Sequence, residues 1–149
     1  MPRRKNSQKM FREVWNPTRE EVVRWAYAPN VYTPTQDFEL AVCTPELHDL
    51  ILQCASDQAC PHQDFFLSCL YVLIGDALRS KWKVFPEMLI KNLIKKGKQS
   101  TTQEVQMWAK RAEELIANPT LYNYDQWGLG SSYVYEAPLK NIKNKRAKP

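Results

Sequence analysis

Two histidines and two cysteines lie close together near the middle of the chain, at His48, Cys54, Cys60 and His62. Zinc binds such side chains four at a time, usually from closely spaced pairs. On a helix, His48 and Cys54 would be ~600° of rotation apart and would project from different faces. We therefore predict no metal site here. We expect both histidines to lie at the surface. We expect all four cysteines of the chain, which include Cys43 and Cys69, to be reduced and mostly buried.

Catalytic motifs are the next feature to consider. Nucleophilic catalysis needs an activated nucleophile with a base in reach, and neither histidine lies in a known local signature. The four glycines are too scattered to form a phosphate-binding loop. An apolar segment begins after Asp64 and ends at Asp76. Burial at the end of this segment could raise the pKa of Asp76. The favoured interpretation is instead an ion pair of Asp76 with Arg79. We expect no enzymatic activity and no cofactor, and a metal- or carboxylate-dependent enzyme is the least favoured function.

Charge is sorted along the chain. Residues 1–12 and residues 140–149 each hold five basic side chains and no acid. Between them, residues 13–78 carry a net charge of −8 and residues 79–98 a net charge of +6. Such a charge distribution influences which partners a protein attracts and how fast it associates with them, but it does not determine the fold. The two ends have the composition of flexible basic arms, and the acidic stretch favours a basic protein partner.

The basic cluster at 79–98 supports nucleic-acid binding as the alternative function, because phosphate attraction needs no precise motif. On a helix, Lys91, Lys95 and Lys98 would form one stripe, and Trp82 lies between two lysines as a stacking ring would. In the opposing interpretation, Trp82 lies in the core, and Lys95 and Lys96 stabilise the helix dipole from the last turn of the helix. The candidate nucleic-acid contacts are Arg79, Lys81, Trp82, Lys83, Lys91, Lys95 and Lys98.

Residues 121–135 are dense in aromatic side chains and have the composition of a protein interface. An equally physical alternative is that these rings cover a small core. The candidate interface residues are Tyr122, Tyr124, Trp127, Tyr133 and Tyr135. The favoured function is thus a non-enzymatic protein-binding module of inhibitor, immunity or adaptor type that uses its acidic body and this segment. Self-association is a further alternative.

Hydrophobic periodicity and proline placement predict the elements that position these residues. We predict helices over 17–27, 45–56, 62–80, 86–96 and 102–117, with capping boxes at Thr18 and Thr101 and a stop at Gly97. A strand-like piece, 38–43, lies in the first long loop, and a buried strand is the alternative for 65–74. The fold class is all-α, with one compact helical domain over 13–139, an irregular aromatic-rich C-terminal segment and flexible basic ends.

No membrane span is expected, because the longest strongly apolar run, 65–74, is about half of the ~20 residues that a bilayer requires. The chain passes from Met1 directly into charged residues, which is not typical of a secretory signal. We therefore expect a cytoplasmic protein.

Overall fold

Helices form the fold in the computed structural model, which describes residues 3–128. The all-α prediction is confirmed, and no β-strand occurs within that range. Short 3₁₀ turns cover Gln8–Met10, Pro45–Leu47 and Pro119–Leu121. The helices are α1 (Arg19–Ala26), α2 (Phe38–Val42), α3 (His48–Ala55), α4 (Gln63–Arg79), α5 (Glu87–Lys98), α6 (Gln103–Ala117) and α7 (Tyr124–Trp127).

The central element is α4, which packs against α2, α3, α5, α6 and α7. Its residues from Phe66 to Gly75 are buried except for the half-buried Ser68, so the helix is covered on nearly every side. The strand alternative for 65–74 is therefore wrong. A run that is apolar all round suits a helix surrounded by others as well as it suits a buried strand. None of the helices within residues 3–128 is long and apolar enough to cross a lipid bilayer.

The predicted capping box at the start of α1 is confirmed. The Glu21 amide donates to Thr18 Oγ1 at 3.2 Å, and the Thr18 amide donates to Glu21 Oε1 at 2.9 Å. Glu21 also accepts a bond from the Arg12 amide, at 2.8 Å to Oε2. One carboxylate therefore ties the first turn of α1 to the chain that precedes it.

Residues 38–43 are not a strand, which corrects the sequence prediction. Phe38, Ala41 and Val42 are buried while Leu40 is 58% exposed, so burial follows the three-and-four spacing of a helix rather than alternation. The helix begins after Asp37, whose positive φ of 60° turns the chain into it. Five residues are too few for periodicity in the sequence to separate the two structures.

Several helix boundaries also differ from the predictions, and the helix predicted from residue 45 begins as the 3₁₀ turn Pro45–Leu47 before α3. Gly97 does not stop α5, because the helix continues through it to Lys98. The N-cap of α6 is Thr102 rather than Thr101, and its side chain makes no capping bond. Instead, Ser100 Oγ accepts a bond from the Thr102 amide at 3.2 Å. Ser100 therefore accepts a backbone N–H bond at the start of α6, which is the role that the sequence predicted for the Thr101 side chain.

The N-terminal segment packs on the body, although its charge predicted a flexible arm. The Lys5 amide donates to the Asn30 carbonyl at 2.7 Å, and the Lys5 carbonyl accepts from the Tyr32 amide at 2.9 Å. Further along, Phe11 is buried, with its ring centroid 5.2 Å from that of Phe38. The basic side chains of this segment therefore project from a backbone that is bonded to the helical body. The C-terminal tail, 140–149, lies outside the described residues.

Candidate functional site

A groove with a basic rim lies between α5 and α6. It encloses a cavity of about 370 Å³. Its lining is formed by Lys91, Ile94, Lys95, Lys98, Glu113 and Ile116. The structure thus places the three lysines of the predicted stripe around a single concave, partly apolar feature.

The amphipathic pattern of α5 explains this placement. Ile90, Leu93, Ile94 and Gly97 are buried, and α5 packs extensively on α6. Lysines at spacings of four and three follow the edge of that buried face, so their ammonium groups reach solvent beside the apolar floor. Lys95, Lys96 and Lys98 also lie in the last turn of α5, where cations stabilise the helix dipole.

Two of the three rim lysines have an ion-pair partner. Lys98 Nζ contacts Glu113 Oε2 across the groove, and Lys91 Nζ lies 3.0 Å from Glu87 Oε2 one turn earlier on α5. Lys95 forms no ion pair with any described residue. The lining therefore carries three lysines against one glutamate, with Lys95 as the cation left for a ligand.

An apolar surface lies near the start of α5. Met88 is 67% exposed and Val84 is 47% exposed. Met88 lies three and seven residues before Lys91 and Lys95, so the three share one side of the helix. Large exposed apolar side chains beside a charged groove are typical of protein-interaction surfaces.

The other candidate nucleic-acid contacts lie in a separate turn at the end of α4. Lys81 and Trp82 both have positive φ angles, of 53° and 66°. The Trp82 amide donates to the Ala77 carbonyl at 2.8 Å, and its half-buried ring packs against the core. Lys81 and Lys83 are exposed on either side. Trp82 thus serves packing, which is the alternative that the sequence left open.

Arg79 connects α4 to α7. Its guanidinium lies over the Tyr124 ring, 4.9 Å from the centroid, and Arg79 Nη1 is 3.9 Å from Asp76 Oδ1. Burial raises the pKa of Asp76, and the Arg79 charge opposes that shift. Both interpretations of Asp76 from the sequence therefore apply, since this carboxyl group is half-buried and loosely paired.

Part of the aromatic segment belongs to the core. Trp127 is fully buried, with its ring centroid 5.2 Å from that of Tyr71. Tyr122 is half-buried, and Tyr124 is 46% exposed beneath Arg79. Tyr133 and Tyr135 lie outside the described residues. Of the predicted interface residues that the structure describes, only Tyr124 offers a large exposed surface.

Several acids of the 13–78 stretch have local structural partners. Hydrogen bonds from the Thr18 and Arg12 amides lower the pKa of Glu21. The Arg19 guanidinium, 2.7 Å from Asp49 Oδ1, lowers the pKa of that carboxyl group. Asp57 Oδ2 accepts a bond from the Tyr27 hydroxyl at 2.6 Å, which lowers the pKa of Asp57. These three carboxylates thus take part in structural contacts at turns and helix starts.

The histidines are half-buried rather than at the surface. The His62 ring stacks on Trp25 at a centroid distance of 4.0 Å, and its Nε2 lies 2.9 Å from the Ala28 carbonyl oxygen. His48 Nδ1 lies 2.5 Å from the Pro45 carbonyl oxygen. Over residues 3–128, no group of three or more His, Cys, Asp or Glu side chains is arranged to hold a metal ion. All four cysteines are buried, as predicted.

No protein-family model, curated protein or solved structure matches this chain. The α5–α6 groove is the feature in which the structure joins the most predicted site residues, because it brings Lys91, Lys95 and Lys98 together. The sequence did not indicate the floor and far side of the groove, since Glu113 and Ile116 come from another helix.

Proposed function

We propose that this chain is a non-enzymatic protein-binding module whose α5–α6 groove binds an acidic amphipathic segment of a partner protein. The observation that carries the proposal is the combination of three lysines with an apolar floor in one cavity of about 370 Å³. A cavity of this size is near the lower end of the ~300–1,000 Å³ that ligand pockets span. An inhibitor, immunity-type or adaptor role in the cytoplasm belongs to this proposal.

The chemistry of the groove favours a segment with both apolar and acidic side chains. Ile94 and Ile116 offer a surface to apolar side chains spaced three and four residues apart on a bound helix. Lys95 offers a cation to a carboxylate at the rim, and such pairs determine orientation and association rate. The exposed Met88 extends the apolar contact along α5.

Acidic residues within the basic stripe favour protein over nucleic acid. Glu87 and Glu113 pair with Lys91 and Lys98, so two of the three lysines are partly neutralised before any ligand arrives. A phosphate backbone would be repelled by both carboxylates and would gain little from an isoleucine floor. A helical peptide with apolar residues at three-and-four spacing and acidic residues beside them can avoid the two glutamates and still cover the floor.

Nucleic-acid binding is the second candidate, supported by the exposure of the cations in the 79–98 cluster. Arg79, Lys81, Lys83, Lys91, Lys95, Lys96 and Lys98 are all exposed. Their attraction for phosphate would be distributed over the whole cluster and would fall steeply with salt. Nucleic-acid binding would therefore depend on the whole cluster, whereas peptide binding in the groove would depend on particular lysines.

Selection from a displayed library of helical peptides tests the first candidate on the full chain. We expect enriched peptides to carry net negative charge and apolar residues at three-and-four spacing. Synthetic copies should bind in solution, and a scrambled sequence of the same composition should bind much more weakly. Enrichment of peptides without acidic residues, or of none at all, would contradict the groove proposal.

Lys95→Glu and Lys96→Glu form a matched pair of variants. Both residues are exposed in the last turn of α5, and the charge change is the same, but only Lys95 lines the groove. We expect Lys95→Glu to weaken peptide binding about tenfold, or ~1.4 kcal/mol, while Lys96→Glu has little effect. An equal loss of binding to a mixed-sequence oligonucleotide in both variants would instead support the nucleic-acid candidate.

A further inference from the structure

The N-terminal segment, residues 3–12, is paired with the loop of residues 28–36. The Lys5 amide donates to the Asn30 carbonyl oxygen at 2.7 Å, and the Lys5 carbonyl oxygen accepts from the Tyr32 amide at 2.9 Å. Neither of these two segments contains an aspartate or a glutamate. The pairing therefore builds one surface from two stretches of chain that carry no negative side chain.

Four cations belong to this surface. The residues concerned are all exposed, namely Arg3, Arg4, Lys5 and Lys9. None of the four forms an ion pair within the part of the chain that the structure describes. Because the backbone at Lys5 is bonded to the helical body, an anion that binds these cations does not have to order a free arm, which would cost binding free energy.

An exposed aromatic ring lies among these cations. The Arg4 guanidinium lies over the Tyr32 ring, 5.7 Å from its centroid, and Tyr32 is 55% exposed. The backbone of Tyr32 is held to the body, because Ser7 Oγ and Trp25 Nε1 donate to its carbonyl oxygen at 2.5 and 3.0 Å. The ring thus stays at the surface on a fixed backbone. Unpaired nucleic-acid bases stack on such rings and on guanidinium groups.

A second arginine–tyrosine pair in the molecule provides an internal comparison. Arg79 lies over the Tyr124 ring, 4.9 Å from its centroid, but its Nη1 is also 3.9 Å from Asp76 Oδ1. Two further carboxylates line a small cavity together with Tyr124, those of Asp37 and Glu39. These acids would repel a phosphate. Of the two pairs, the Arg4–Tyr32 pair is the one whose own segments contain no acid.

We propose that the Arg4–Tyr32 pair and its flanking cations bind single-stranded nucleic acid. One base stacks on the pair, and the phosphates on either side contact Arg3, Lys5 and Lys9. A single strand is required, because the bases of a duplex are paired and stacked and cannot reach the ring. The site differs from the α5–α6 groove in both its residues and its ligand, so it does not depend on the peptide proposal.

Fluorescence anisotropy on the full chain tests the ligand class, with a short labelled DNA strand of mixed sequence as the probe. We expect the chain to bind this strand more tightly than the duplex formed with its complement. We also expect weaker association with phosphatidylcholine vesicles that contain phosphatidylserine, since lipid headgroups offer no base to stack. Equal or tighter binding of the duplex, or binding to the vesicles alone, would overturn the proposal.

Tyr32→Leu tests the role of the ring, with Tyr124→Leu as its matched control. Both substitutions remove an exposed ring that lies under an arginine. Tyr32→Leu should weaken binding of the strand about tenfold, whereas Tyr32→Phe and Tyr124→Leu should bind like wild type. Full binding by a folded Tyr32→Leu chain, or an equal loss in Tyr124→Leu, would overturn the assignment of this ring.

Substitutions of Arg4 separate its charge from its planar shape and do not remove the ring. Arg4→Gln should weaken binding and reduce the slope of the logarithm of affinity against the logarithm of salt concentration by about 0.7, the value for one phosphate contact on a single strand. Arg4→Lys should weaken binding but keep the slope. Lys96→Gln, which removes an exposed cation of the 79–98 cluster, is the control and should change neither quantity. Equal effects of Arg4→Gln and Lys96→Gln would overturn the site, because the attraction would then belong to the whole charged surface.

Discussion

Gly97 of α5 lies directly against the indole ring of Trp108 on α6. A Cβ atom placed on Gly97 would come within 2.9 Å of Trp108 Cζ3 and 3.2 Å of the Ala109 Cβ. Glycine in a helix interior costs ~1 kcal/mol relative to alanine. The close approach of α5 and α6 explains why glycine occupies this position.

Gly97→Ala should lower the free energy of unfolding by about 1–2 kcal/mol, because overpacking outweighs the gain in helix propensity. Trp108 cannot move aside freely, since its ring is fully buried and its Nε1 donates to the Leu70 carbonyl at 3.0 Å. Urea unfolding measures the change. A Gly97→Ala chain that is more stable than wild type would show that the two helices are not held at this distance.

A double-mutant cycle with Trp108→Phe isolates the contact. The smaller phenylalanine ring should relieve the clash, so Gly97→Ala should cost less in the Trp108→Phe background than in wild type. Additive effects of the two substitutions would mean that the cost of Gly97→Ala arises elsewhere.

Gly75→Ala should displace α7 from α4. A Cβ atom at Gly75 would lie 2.9 Å from both the carbonyl carbon and the carbonyl oxygen of Trp127, and backbone cannot rotate away as a side chain does. The Trp127 and Gly128 amides, bonded to the Asn123 and Tyr124 carbonyls at 2.9 and 2.7 Å, should then exchange hydrogen faster. Amides of α5 and α6 should keep their protection, whereas Gly97→Ala should show the reverse pattern. Unchanged exchange at Trp127 in Gly75→Ala would contradict this docking.

Glu21 should contribute to stability above its unfolded-state pKa and lose that contribution in acid. Its pKa is lowered in the folded chain by bonds from the Thr18 and Arg12 amides, so the unfolded chain takes up the proton first as pH falls. Stability therefore declines below about pH 4–5, the range in which unfolded glutamates titrate. Glu21→Gln should reduce this dependence in urea titrations at successive pH values.

Glu20→Gln is the control at neutral pH. It removes the same charge from the same turn, but Glu20 is exposed and takes no part in the capping box. We expect Glu21→Gln to cost about 1 kcal/mol and Glu20→Gln less than about 0.5 kcal/mol. Equal costs would mean that charge near the helix start, and not the capping bonds, supplies the stability.

His62 should titrate below the ordinary histidine value of about 6.5. Burial lowers its pKa, with the Ala28 carbonyl opposing and Arg4 adding to the shift. Because the unfolded chain binds the proton at higher pH than the folded chain, stability should fall as pH drops below about 6.5. Nuclear magnetic resonance of the imidazole protons measures the pKa directly. A value at or above 6.5 would contradict the burial of this ring against Trp25.

Much of the helical layout could be predicted from local patterns. Leu89, Ile90, Leu93 and Ile94 already define the inner face of α5, and Thr18 with Glu21 already defines the start of α1, because both signals involve residues within one or two turns. Short or mixed signals gave wrong predictions. Five residues at 38–42 could not separate helix from strand. The charge of residues 3–12 predicted a flexible arm, although Phe11 is buried in the core and the Lys5 backbone bonds to the body.

Local sequence patterns already establish the helical fold class, the positions of the long helices, and the shared side of α5 on which Lys91, Lys95 and Lys98 lie. The packing of the helices, in contrast, brings Glu113 and Ile116 into a groove with these lysines and places Trp127 in the core. The reason is physical. A helical period is a property of neighbouring residues, whereas these contacts depend on how helices distant in the chain pack, which is determined by shape and by close approaches such as that of Gly97 to Trp108.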